Sequence, residues 1–163
     1  MTAPELAPVL EGADYVEFKE IEGEVSLREF VAGMLSWSPI WLKGLFAARY
    51  VLARALRLDT AGIPPRARLR PETVSFTPGD DAAIFTVHSG EEDRYLVVGA
   101  DDNHLTAHLT IVAEPVSGGR KRFQVGTIVH YHRKTGPVYF AVIKPFHHLI
   151  IRGMLRAGVA RTA

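Results

Sequence analysis

The chain has 163 residues, 47% of them hydrophobic, no cysteine and a formal net charge of +1, and its mean hydropathy is +0.06. A chain of this size suits one domain, residues 1–163, that buries about 70% of the surface its unfolded form exposes, so it needs no covalent staple. With no cysteine, nothing points to an oxidising compartment or a thiol nucleophile.

Charge is unevenly spread. Residues 1–29 hold Glu5, Glu11, Asp14, Glu17, Glu20, Glu22, Glu24 and Glu29 against Lys19 and Arg28, whereas from Pro115 onward there is no Asp or Glu and nine Lys or Arg. Two readings follow: the acidic first strand lies beside the basic last elements, or a basic face awaits an anionic partner. No nucleic-acid-binding motif is present, and no nucleic-acid partner is expected.

Residues 1–13, with Pro4, Pro8 and Gly12, read as a lead-in that is free to fray. The start Met1-Thr2-Ala3-Pro4-Glu5 has neither a basic stretch nor an apolar run, so no secretory leader is expected and the cytoplasm is the default location. Asp14 to Ile21 alternates as a strand through Val16 and Phe18. Ser26-Leu27-Arg28-Glu29 carries the capping-box pattern and opens a helix to about Leu35. Ser38-Pro39 opens a longer helix to about Leu56, with Trp41, Leu45, Ala48, Leu52 and Ala55 on one face and Lys43, Tyr50, Arg54 and Arg57 on the other. Packing on a sheet is one reading of that apolar and basic stretch; lying on a membrane surface is another. Asp59 to Pro71 reads as a loop.

From Glu72 the period changes to two. Strands are predicted over Thr73–Thr77, Ala82–Ser89, Arg94–Ala100, Asn103–Ala113 and Arg122–Arg133, joined by short turns that imply an antiparallel meander. Gly118-Gly119-Arg120-Lys121 lacks phosphate-loop spacing and reads as a hairpin tip.

Gly136-Pro137 then ends the sheet and starts a closing helix, because proline fits the first helical position. Tyr139, Ile143, Phe146, Ile150, Met154 and Ala157 recur as one apolar face, and Lys144, His148, Arg152 and Arg156 as a basic one. Pro145 should kink the helix near Ala141. The charged residues argue against a transmembrane span, so no integral membrane segment is expected.

The order strand, helix, helix, strands, long helix resembles the helix-grip fold of the START-like superfamily, which includes polyketide cyclases, plant pathogenesis-related allergens and lipid-transfer domains. The resemblance implies an α+β domain in which a curved antiparallel sheet wraps a long C-terminal helix, with two short helices after the first strand, and in which the gap holds an apolar ligand. Trp41 to Arg49, Asp102-Asn103-His104-Leu105, Tyr139 and Lys144 to Arg152 are similar to a bacterial family of unknown function placed near that superfamily. That likeness implies a fold and no activity.

Candidate chemistry is sparse. The serines lie in caps, turns or strands, with no nucleophile elbow. Asp101-Asp102 could form an acid–base pair, although acids are common in turns. His104 and His108 share one strand face but stand about 13 Å apart, too far to share a metal. A turn near Ser117 would put His104 opposite His130 and Asp102 near His132, forming an outer-face cluster; a one-residue slip would reverse the faces. No metal or cofactor is expected. Of His147 and His148, one should be buried with a partner and the other exposed.

The main candidate site is the space under the closing helix. Phe85, Tyr95, Leu105, Leu109, Val129, Tyr139, Ile143 and Phe146 are expected to line it, Tyr131 and His147 to supply polar anchors with Tyr95 and Tyr139, and Trp41 with Trp37 to act as a lid. The same side chains would equally fill a solid core. The expected partner is an apolar small molecule, lipid or polyketide-like. The alternatives are a cyclase- or dehydratase-type enzyme in the same cavity, or a peripheral membrane or partner-binding protein using its basic helix faces. A homodimer through the polar outer sheet face is compatible with the pattern.

Overall fold

The structure is a computed structural model and describes residues 4–57, 68–102 and 105–160. After a 3-10 turn at Pro4–Leu6, the elements run α1 (Ala7–Leu10), β1 (Tyr15–Gly23), α2 (Leu27–Ser36), α3 (Ile40–Ala55), β2 (Asp81–Ala82), β3 (Phe85–Glu91), β4 (Tyr95–Asp101), β5 (Leu105–Pro115), β6 (Lys121–Tyr131) and α4 (Gly136–Val159). Six antiparallel strands form one curved sheet in the order β1-β6-β5-β4-β3-β2, with α4 along its inner face. This is the expected helix-grip arrangement.

Local chemistry accounts for most boundaries. Ser26 caps α2 in a full capping box, its hydroxyl accepting from the Glu29 amide while the Glu29 carboxylate accepts from the Ser26 amide at 2.7 Å. The hairpin between β5 and β6 turns on Gly118 and Gly119, both with φ near +75°. The acidic first strand does lie beside the basic last one: Glu22 pairs with Arg120 and Arg122, and Gln124 donates to Glu20.

Three expectations need correction. Thr73–Thr77 forms no strand; a 3-10 turn occupies Pro71–Thr73, and the Arg28 guanidinium takes the carbonyls of Pro71 and Val74, which a ladder would otherwise need. The stretch Ala82–Ser89 is broken at Ala83, whose φ of 57° turns the chain between β2 and β3. The lead-in is not loose from Pro4 onward. Leu6 is fully buried with Val97 and Val112 on the outer sheet face, and Val9, Leu10 and Phe18 pack around them. Part of the outer face is therefore covered as well, and that face is not a simple solvated surface.

On the inner face, α2 and the second half of α4 cross closely. A β-carbon on Gly33 would fall 2.6 Å from the Ala157 carbonyl oxygen, and one on Gly158 would fall 2.7 Å from the Phe30 ring. Phe30 stacks on Phe123 with centroids 4.1 Å apart. With Leu27, Met34, Leu96, Ile111, Val125 and Ile151 they form the main core. Helix α4 runs as one element through Pro145, whose missing donor would have served the carbonyl of Ala141, a solvent-exposed residue.

Candidate functional site

The inner face carries a second, smaller apolar cluster at the other end of the grip. Ala53 from α3, Leu105 and Val129 from the sheet, and Tyr139 and Phe140 from α4 are buried there, with Tyr15, Tyr131 and Ile143 partly buried around them. Leu105 lies opposite Tyr131 in the ladder, which sets both on this face. Tyr15 and Tyr131 both pack against Phe140, with centroids 4.7 and 6.3 Å away.

A polar seam runs between the two clusters. On β6, the residue between inward-facing Val125 and Val129 is Thr127, buried and 3.1 Å from His147 Nε2. Burial holds His147 neutral, its pKa pushed down to about 4 from the ordinary 6.5. The Glu17 carboxylate extends the seam. It accepts from Lys19 Nζ at 2.8 Å and from Tyr15 Oη at 3.2 Å, and lies 2.9 Å from His148 Nδ1. Burial alone would raise the Glu17 pKa, but Lys19 and His148 outweigh it and hold the carboxyl below its usual range. Burial, with the Glu17 charge beside it, pushes the Tyr15 phenol up to about 12. His147 is the more buried of the pair, bonded to Thr127 on β6, while the His148 side chain stays 38% exposed beside Glu17 on β1.

The far end of the small cluster has its own polar group. Arg49 on α3 donates from Nη2 to Asp102 Oδ2 at 2.9 Å and from Nε to the Tyr139 hydroxyl. Burial raises the Tyr139 pKa despite the neighbouring guanidinium. The small cluster is therefore apolar in its middle and hydrogen-bonding at both ends. A molecule with an apolar body and a polar terminus matches that layout.

Of the residues predicted to line the site, Leu105, Val129, Tyr131, Tyr139 and Ile143 meet in the small cluster, with His147 at its edge. Leu109 and Phe85 belong to the main core instead. Tyr95 faces outward with Val97, because the lead-in makes that face apolar too. Phe146 is exposed, on the flank of α4 away from the sheet. Trp41 is also exposed and sits edge-on to Trp37, 5.7 Å between centroids, so it closes nothing over the cluster. Arg49, Asp102, Thr127, Tyr15 and Glu17 were not predicted to belong. The signal was the odd-numbered set on β1: Tyr15, Glu17 and Ile21 face the helix, while Val16 and Phe18 face outward.

The predicted outer-face cluster does not form as drawn. The β5–β6 register is displaced by two residues, so Thr106 rather than His104 lies opposite His130. Asp102 is bound to Arg49, and His104 lies outside the described residues. Instead, His108 meets His88 and His130 edge-on, with centroids 4.9 and 5.7 Å away. Gly99 makes room for this, since a β-carbon there would fall 2.5 Å from His88 Nε2. A concavity of about 470 Å³ lies alongside, lined by Ile84, Thr86, His88 and Asp101 among others. Among the described residues no group of three His, Asp or Glu side chains is placed to hold a metal ion, and no helix is long and apolar enough to cross a membrane.

Comparison with known proteins bears on the fold. No curated protein matches the chain. Among solved structures it is similar to hypothetical protein jhp0584 from Helicobacter pylori, at 13% identity and TM-score 0.46, covering 98% of this chain and 95% of that one. It is similar to a START superfamily protein from Mycobacterium smegmatis, at 13% identity and TM-score 0.41, covering 87% and 92%. A third similar structure is truncated norcoclaurine synthase from Thalictrum flavum, at 14% identity and TM-score 0.42, covering 91% and 95%. The chain has the START-like helix-grip fold by its own strand order and closing helix, and residues 9–154 match the family described as "Protein of unknown function (DUF2867)", to which it belongs.

Proposed function

We propose that this protein binds an apolar small molecule with one polar end, in the part of the grip bounded by α3, the first half of α4 and strands β5 and β6. The observation that carries the reading is the small cluster around Tyr139 and Val129, which has hydrogen-bonding groups at both ends and is separated from the main core by the Thr127–His147 seam. The polar ends would orient the ligand and the apolar middle would supply most of the affinity. Lipid-like and polyketide-like aromatics are the classes that fit this layout.

The test is organic extraction of the purified protein with mass spectrometry of the extract, followed by thermal shift with fatty acids and polycyclic aromatics. Wild type should release a bound compound or be stabilised by one class. Ile143→Trp, which fills the cluster from a half-buried position, should lose that stabilisation, and Tyr139→Phe should weaken it. Absence of both copurified and added ligand in wild type would sink the reading. A cyclase- or dehydratase-type reaction at the same place is the second reading, favoured by the His147–Thr127 pair, a polar couple set beside the apolar cluster. Product analysis of the same incubations separates it from carriage.

A further inference from the structure

We propose that the outward sides of α3 and α4 form a docking surface for an anionic lipid bilayer, an interaction that goes beyond ligand binding and does not depend on it. Apolar side chains are normally scattered singly on a soluble surface. Among the described residues, eight of the ten large exposed ones belong to these two helices. On α3, Ile40 is 86% and Val51 65% exposed; on α4, Val138 is 58% and Leu149 54% exposed.

The two helices lie side by side and run in opposite directions. The Trp37 indole, just before α3, lies against Gly153, where a β-carbon would overlap it. Toward the other end of α3, Arg49 bonds Tyr139 and Ala53 packs in the same cluster as Tyr139 and Phe140. Val138, Val142 and Leu149 follow at steps of four and seven, so they form one stripe on α4. At 100° per residue that stripe lies on the Tyr139 and Gly153 flank of the helix, the side where α3 sits. The outward sides of the two helices therefore make one surface.

Charge decides the occupant. Helices α3 and α4 contain Lys43, Arg49, Arg54, Lys144, Arg152 and Arg156 and no Asp or Glu. Arg49 and Lys144 are engaged inward, on Asp102 and over the Tyr15 ring, which leaves Lys43, Arg54, Arg152 and Arg156 at exposed positions around the apolar stripe. An apolar strip on two helices that carry cations and no carboxylate, and that are too polar to span a membrane, matches the boundary between headgroups and acyl chains of an anionic leaflet. A partner protein would have to be apolar and acidic together, whereas an anionic leaflet combines both properties.

The experiment is flotation of the full chain with vesicles of phosphatidylcholine alone and of phosphatidylcholine mixed with phosphatidylglycerol, at low and high salt. Binding is expected only to the mixed vesicles, weakening as salt rises. Lys43→Glu with Arg54→Glu should cost roughly thirtyfold in apparent affinity, at about fivefold or more per cation. Val142→Asp with Leu149→Asp, at positions already half exposed, should abolish binding while the melting temperature stays near wild type. Equal binding to neutral vesicles, or binding untouched by both pairs, would overturn the proposal. So would a concentration-dependent dimer that Val142→Asp with Leu149→Asp disrupts while no vesicle is bound, because the occupant would then be a second copy of the chain.

Discussion

Replacing His147 with glutamine should remove a specific part of the protein's acid sensitivity. The imidazole is buried against Thr127, and that burial lowers its pKa from 6.5 to about 4. Unfolding returns it to the ordinary value, so between those limits the unfolded chain binds a proton that the folded chain refuses. Above pH 6.5 both states hold the ring neutral and the contribution to stability is intact. It falls as pH drops from 6.5 and is fully lost near pH 4, below which both states are protonated. A displacement of this size corresponds to about 3 kcal/mol. Glu17, Lys19 and His148 face the ring across the seam; the charges of Lys19 and His148 favour the same neutral form, while that of Glu17 opposes it. His108 on the outer face is also lowered, by burial first and then by His88 and His130, and adds sensitivity of the same sign. His147→Gln keeps a neutral partner for Thr127 and leaves His108 alone. Urea denaturation at intervals from pH 7.5 to 4 should show the wild-type curve falling more steeply than the variant's, with the gap opening below pH 6.5. Parallel curves would show that His147 is solvated and charged in the folded protein, and the buried seam would be refuted.

Two further substitutions probe the packing. Leu6→Ala should cost about 2–5 kcal/mol by chemical denaturation, since the side chain is fully buried between the lead-in and the outer sheet face; a change under about 0.5 kcal/mol would mean the lead-in is not docked. Gly33→Ala should destabilise by about 1–3 kcal/mol in the same assay. The new β-carbon meets α4 backbone at Ala157, which cannot swing away as a side chain could; a stabilising Gly→Ala effect would contradict the close crossing.

The order and type of the elements were legible because the hydrophobic period switches from alternating to helical after the first strand and back to alternating past Glu72, and because Gly136-Pro137 marks the last switch. The facing of the elements was harder to read. Helix α4 has apolar residues around much of its circumference, so the stripe through Tyr139, Ile143 and Phe146 looked like the core side. The buried side is rotated from it, through Phe140, His147, Ile151 and Leu155. The signal that would have fixed the rotation was glycine: Gly158 passes Phe30, and Gly153 passes Trp37. Tyr95 was misplaced for a related reason. Leu96, Val97 and Val98 are all buried, so alternation on β4 carries no information about which face is inner. The β5–β6 register slipped by two because the tip turns on Gly118 and Gly119 rather than Ser117, a displacement that preserves faces but moves every partner. Arg49 and Asp102 are 53 residues apart, and nothing local to either announces the other.

The division of the inner face into two clusters bears on why a ligand site is the better reading of this fold. The main core, built on α2, the second half of α4 and the middle of the sheet, already holds most of the large buried side chains. A buried His–Thr hydrogen bond contributes about 1 kcal/mol net, whereas a pair of apolar side chains of similar size at the same place would contribute about 3 kcal/mol or more. Stability alone therefore does not explain Thr127 and His147, nor does it explain setting Arg49 and Asp102 at the rim of an apolar cluster. Recognition of a polar terminus would account for both. The uncovered stripes of α3 and α4 run along the outward sides of the same two helices that bound this cluster. A ligand chamber there would share its walls with the surface proposed to meet an anionic bilayer, so that an apolar cargo could pass between membrane and chamber without crossing water. The two proposals remain separable, because the vesicle-binding substitutions lie on the outward sides of the helices, whereas Ile143 and Tyr139 pack in the small cluster.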